Sequence, residues 1–464
     1  MTQSAPRVHG LDTLRALAIV AVIAYHVSGF HDTETLPAFL VPAAKMGWMG
    51  VDLFFVLSGY LIASQFLRPY SFGQHPGLWN FYRSRLFRIL PAFGAVLVLY
   101  LAIPQWREAP TLPPLWELLT FTQNLFVDRS QFRAFSHVWS LCLEEHFYLL
   151  FPLVVLASMP KRSMRVTVAI LLSLVFSGIL IRSYFLFHLL RPLADSDGPV
   201  GRAFIERIYY PTYSHLDGLL AGVTLAIVRT FRPVTWSAIA RRGNSLFLAG
   251  VCIVGLAVYL TQDFWESTTG VAAVGVVIGF PVLSLGLALV VASAVSSNGL
   301  LRIRIPGARL IATLAYSLYL THKELIHLVD LWFPSIAEGA MWRWLAAYTA
   351  LCLSAATILY LCVERPFLLL RDRQRKPPPG TGTGKLSRAS VNNQPTQESR
   401  PENRSRSVSI AVAPEQGPSH QQEPSEPQPG PLRIRECRQP APRLPHSSRG
   451  SRPPQASCRP CPCG

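Results

Sequence analysis

RALAIVAVIAYH, Arg15 to His26, sets a permanent cation and a titratable imidazole at the two ends of a mostly apolar run. A helix through this run turns about 1100° between the two, about 20° past three full turns, so both side chains share one face. The rise between them is about 16 Å at 1.5 Å per residue. Apolar runs of membrane-spanning length recur along the rest of the chain, and they decide the fold class. The reading is an all-α integral membrane protein of about ten transmembrane helices.

Composition agrees. Of 464 residues 50% are hydrophobic and 15% charged, where soluble domains carry about a quarter charged. The net charge of +17 could suggest a nucleic-acid partner. Its distribution argues for no nucleic acid: about a third of the excess lies in a C-terminal tail, and most of the rest in short loops between apolar segments. Such loops orient a membrane protein.

The predicted spans are 12–29, 47–66, 89–104, 139–158, 166–187, 215–230, 245–260, 271–295, 308–331 and 344–363. The short apolar stretch 113–127 is expected to be re-entrant or interfacial. The first run is read as a helix and not as a cleaved leader. With a cytoplasmic N-terminus, one set of loops holds Arg68, Arg83, Arg85 and Arg88, then Lys161, Arg162 and Arg165, then Arg229, Arg232, Arg241 and Arg242, then Arg302, Arg304 and Arg309. The opposite loops are poorer in Lys and Arg. This bias predicts both termini in the cytoplasm. Residues 8–372 form the expected membrane domain. Residues 373–464, rich in Pro, Ser and Arg, form an expected disordered tail that cannot bury enough apolar surface to fold.

Two motifs in the tail are decoys. PGTGTGKLS, from Pro379, lacks the first glycine of a phosphate loop and the Ser or Thr after Lys385. Cys458 and Cys461 have a metal-like spacing but no second ligand pair. No metal site is predicted.

Ionisable groups within hydrocarbon are costly, by about 2.5–3.5 kcal/mol even on insertion scales. His26, Asp52, Glu144 and His322 all fall in the outer halves of their helices if the N-terminus is cytoplasmic, and are expected to converge at one depth. Asp52 is expected to pair with a histidine, fixing its tautomer. Ser58 and Gly59 are expected to allow close helix packing. Arg83, Arg85 and Arg88 crowd the inner face, where guanidinium groups suit a phosphorylated donor.

These stretches together resemble the acyltransferase family 3 membrane proteins, which O-acylate envelope polysaccharides, antibiotics and other acceptors. The carriers are Arg15 and His26, GVDLFFVLSGYLI from Gly50, RLFR at Arg85 and Arg88, WSLCLEEHFYLLFP from Trp139, YSLYLTH ending at His322, and VERPF at Val363. His146 and Thr321 depart from the family's usual glutamine and tryptophan, which bears on the acceptor pocket. The resemblance implies an integral acyltransferase of the plasma (bacterial inner) membrane. It would move an acyl group, an acetyl group in the favoured reading, from cytoplasmic acyl-CoA to a hydroxyl of a saccharide or other hydroxylated acceptor outside. Acyl-CoA would be a co-substrate and not a resident cofactor, and membrane lipid a further partner. Arg15, Arg85 and Arg88 would hold the donor. His26, Asp52, Glu144 and His322 would be catalytic, with His26 either general base or transient acyl carrier. Intramembrane charges would also suit a transporter or exporter of a lipid-linked or polysaccharide substrate, but no inverted repeat supports that.

Overall fold

The computed structural model describes residues 8–30, 41–158, 164–263, 267–334 and 341–373. The predicted tail after Arg373, with both of its decoy motifs, lies outside the described residues. The described residues form helices joined by turns, with no strand among them.

Among the described residues ten long helices stand where the apolar runs predict them: α1 His9–Phe30, α2 Met49–Leu67, α3 Leu78–Ala102, α4 Trp139–Ser158, α5 Met164–Phe185, α6 Asp217–Phe231, α7 Gly243–Thr261, α8 Gly270–Ala294, α9 Ala308–Trp332 and α10 Met341–Leu359. Eight combine the length and apolarity needed to cross a membrane. The other two are α6, of 15 residues, and α9. The polar stretch of α9, Ser317 and Thr321 to Glu324, is buried inside the bundle, so lipid never meets it. α3 begins eleven residues before its predicted span: polar Asn80, Arg83, Arg85 and Arg88 extend the helix past the apolar run that marks it.

The outer surface is apolar, as lipid requires. Leu172, Phe176 and Leu180 of α5, and Leu248, Val251 and Leu256 of α7, are exposed. Pro91, Pro152 and Pro281 sit inside helices, which membrane helices tolerate when neighbours re-satisfy the freed carbonyls.

Two packings position the site. Ile19 and Val27 of α1 pack with Leu314, Leu318 and Leu325 of α9 and with Trp344 and Tyr348 of α10 in one buried cluster. α2 and α6 meet backbone to backbone. A Cβ on Gly59 would lie 2.2 Å from the carbonyl oxygen of Leu219, and one on Gly222 would lie 2.2 Å from that of Val56. Without a hydrophobic effect between helices in lipid, such small-residue contacts carry the association through van der Waals packing. The expectation for Gly59 thus describes its contact. Ser58 instead spends its hydroxyl on Glu144.

A second tie crosses the bundle. Arg182 of α5 is fully buried, and its guanidinium donates to Asp217 Oδ2 at 2.7 Å, to Asp217 Oδ1 at 3.3 Å and to the carbonyls of Ser214 and Val277. A buried charge persists only when paired and hydrogen-bonded, and here the partners come from α6, α8 and the turn before α6. The stretch 113–127 forms one short helix, Leu115–Leu119, and a turn that places Asn124 inside the protein. Its amide donates to Tyr210 O at 3.2 Å and Thr212 Oγ1 at 2.8 Å.

Candidate active site

His26, Asp52, Glu144 and His322, expected to converge, do not form one cluster. They fall into three places.

The first is a histidine pair. His322 Nε2 lies 3.1 Å from His26 Nδ1, joining α9 to α1. His322 Nδ1 lies 2.8 Å from the carbonyl oxygen of Tyr319, and His26 Nδ1 lies 2.9 Å from that of Val22. A carbonyl oxygen only accepts, so each Nδ1 carries its hydrogen. His322 Nε2, in the neutral ring, is therefore an acceptor that shares the one His26 Nδ1–H with the carbonyl of Val22. That leaves the lone pair of a neutral His26 on Nε2. Tyr348 donates to the carbonyl of His322 at 3.0 Å and holds this turn of α9.

Sequence reasoning missed the surroundings of this pair. The His137 ring packs edge-on against His322 at 5.2 Å between centroids. Lys323 Nζ is 3.0 Å from Glu108 Oε1 and donates to Ser136 Oγ at 2.7 Å. Glu324 is fully buried beside them. The signal was present in the string His322-Lys323-Glu324, three ionisable residues within an apolar helix. Glu108 and Ser136 come from loops, which no periodicity marks.

The second place is a cavity of about 160 Å³ lined by Arg15, Arg85, Arg88, Glu144, Ser58 and Tyr148, with Ser140 and Tyr319 also in its wall. Arg15 lies 3.9 Å from Asp12. Arg85 donates to Gln65 Oε1 at 2.7 Å. Arg88 lies 3.9 Å from the buried Glu364, which also accepts from Ser317 at 2.9 Å. Glu364 sits in a π-helical turn, Tyr360–Glu364, that follows α10; the closing VERPF stretch supplies it. Glu144 accepts from Ser58 at 2.9 Å and from the Tyr148 hydroxyl.

Glu144 thus belongs with the arginines and not with the histidines. Its partner Ser58 is six residues along α2 from Asp52, about 9 Å at 1.5 Å per residue. The sequence gives each residue a position along its own helix, but not the tilt and offset between helices.

Tyr319 separates the two places. It lines the cavity, its hydroxyl donates to the carbonyl of His137 and bonds Ser140 Oγ at 2.8 Å, and its ring lies 6.0 Å from that of His322.

The third place holds Asp52. Its partner is indeed a histidine, but it is His215 and not His26: His215 Nε2 lies 2.9 Å from Asp52 Oδ1, and Nδ1 lies 2.6 Å from the carbonyl oxygen of Tyr209. Both side chains are fully buried, with Trp139 stacked on the imidazole at 5.7 Å and Phe280 at 4.2 Å. Both ring nitrogens face oxygen atoms. This arrangement ties α2 to the turn before α6.

His146 bonds Thr212 Oγ1 through Nδ1 at 2.7 Å, and Thr321 donates to the carbonyl of Ser317 at 3.0 Å. Neither of these two departures lines the arginine cavity.

Over 350 residues the chain is 28% identical to the O-acetyltransferase OatA of Staphylococcus aureus (strain NCTC 8325 / PS 47), covering 70% of this chain and 51% of that one. It is 26% identical over 359 residues to the peptidoglycan O-acetyltransferase OatA of Listeria monocytogenes serovar 1/2a (strain ATCC BAA-679 / EGD-e), covering 72% of this chain and 52% of that one. The chain spans about half the length of the curated relatives it matches. No solved structure matches it. The family match, to an acyltransferase domain, runs over residues 8–363 and so takes in all ten long helices, both histidines of the pair and all three arginines of the cavity; the chain belongs to that acyltransferase family.

Proposed function

We propose that this protein is a membrane O-acetyltransferase that takes an acetyl group from acetyl-CoA on the cytoplasmic side and delivers it to a hydroxyl of an envelope carbohydrate outside. The names of the relatives, two O-acetyltransferases of which one is a peptidoglycan enzyme, support acetyl as the group and peptidoglycan as the acceptor. The observation that carries the reading is the division of the polar interior by Tyr319: a guanidinium-lined cavity on one side, a tautomer-fixed histidine pair on the other.

Three guanidinium groups suit phosphate. The nucleotide end therefore stays toward the inner face, and the pantetheine arm passes Tyr319 to reach His26, about 16 Å along α1 from Arg15. His26 Nε2 takes the proton as the acceptor hydroxyl attacks the thioester carbonyl. The C–S bond breaks, and the thiolate recovers the proton. His322 accepts from His26 Nδ1–H throughout and stabilises the imidazolium as it forms. The base role uses the fixed tautomer directly, whereas an acyl carrier would need the same nitrogen as nucleophile and a second base. Asp52 serves the fold, and Glu144 shapes the donor cavity.

The test is acetyl transfer from radiolabelled acetyl-CoA to peptidoglycan fragments by the purified full chain. His26→Ala should slow transfer by about 10²–10⁴-fold without changing donor affinity, and Arg85→Ala should weaken donor affinity. Transfer by His26→Ala near the wild-type rate removes His26 from the chemistry.

A further inference from the structure

A second, larger cavity lies away from the histidine pair and the arginine cavity, between α4, α5 and α6, with a volume of about 540 Å³. It is elongated. From Leu216 to Arg232, both in its wall, α6 and its two end residues rise about 24 Å, most of the about 30 Å of a bilayer's hydrocarbon core. Phe147, Leu150, Leu174 and Val223 typify its walls. Its polar groups collect at the ends. His146 and Thr212, bonded to each other, close one end. Tyr70, Ser158, Thr167 and Arg232 stand at the other, and Arg232 is the single charged residue in the lining.

An apolar slot of this length with one exposed cation at one end is complementary to one kind of molecule: an amphiphile with an anionic head and an extended chain. We infer that this slot binds an anionic bilayer phospholipid, with one acyl chain lying along α6 and the phosphate on Arg232. The site is separate from the proposed donor cavity and shares no lining residue with it. The chain end would reach the His146–Thr212 bond, to which Asn124 also donates, so a lipid would brace the same turn that carries His215. This inference does not rest on the proposed transfer reaction.

The test uses the purified full chain, delipidated in detergent and titrated with phosphatidylglycerol or phosphatidylcholine, bound lipid being counted by native mass spectrometry. One phosphatidylglycerol should bind, preferred over phosphatidylcholine by about five-fold, the ratio expected for one basic residue near an anionic headgroup. Arg232→Glu should remove the preference. Leu150→Trp and Leu174→Trp, at lining positions 54% and 38% exposed, should fill the slot without straining the core and should each lower occupancy. Equal binding of both lipids by the wild type, no lipid bound by the wild type, or occupancy unchanged in both tryptophan variants would each overturn the inference.

Discussion

Replacing His322 by alanine separates a base from the group that orients it. His26 Nδ1–H donates to His322 Nε2 at 3.1 Å. In the ground state this is a neutral hydrogen bond. When His26 takes the acceptor's proton it becomes charge-assisted, and such bonds contribute about 1.5–3 kcal/mol. Because the carbonyl of Val22, at 2.9 Å, shares the same N–H, the loss in His322→Ala is at most about 10- to 150-fold in rate, since each 1.36 kcal/mol is tenfold. Removing the base itself costs more, about 10²–10⁴-fold. The assay is single-turnover acetyl transfer at saturating donor, each variant matched for folded protein by detergent size-exclusion. The expected order is wild type, then His322→Gln, whose amide oxygen still accepts, then His322→Ala, then His26→Ala. If His322→Ala is as inactive as His26→Ala, or more so, the assignment of base and orienting group is wrong.

Three further outcomes follow from the packing. Glu364→Gln should raise the KM for acetyl-CoA and leave kcat nearly unchanged, because Glu364 holds Arg88 at the cavity wall; a fall in kcat alone would contradict this. Asp52→Ala strands the fully buried His215 and should cost about 3–5 kcal/mol of stability, read as lost thermal stability in detergent with donor affinity retained in the protein that folds. Gly222→Ala puts a Cβ 2.2 Å from Val56 O and 2.5 Å from Tyr60 N, so it should lower folded yield sharply, whereas Gly94→Ala, with open space around its Cβ position, should not.

The helices were legible because lipid imposes a length and a hydropathy on each span, and both are local properties of the sequence. α6 and α9 show the limit: one is short and the other polar, yet both stand where the runs end and resume. The site was legible as residue types. An arginine, an aspartate or a histidine inside an apolar run announces a partner but not which one. Asp52 finds His215, 163 residues away, and Arg182 finds Asp217, because helix rotation and the turn before α6 aim them. Neither is encoded by spacing within one segment. Arg182 itself stood in plain view within the span 166–187, where an intramembrane charge signals a buried tie. The placement of Glu144 beside the arginines depends on how far α2 and α4 slide past each other, a packing quantity that neither helix carries alone.

The central claim is that donor and acceptor meet from opposite sides of the membrane. Its most direct measurement uses inverted membrane vesicles with peptidoglycan fragments sealed inside and radiolabelled acetyl-CoA added outside. Orientation is fixed independently by impermeant maleimide on single cysteines at Asn298 and Gln262, both exposed and in loops predicted to lie on opposite faces. In a vesicle where Asn298→Cys labels and Gln262→Cys does not, label should appear in the enclosed fragments of the wild type and not of His26→Ala. Transfer that occurs only when fragments and acetyl-CoA share one side of the sealed membrane would contradict the account.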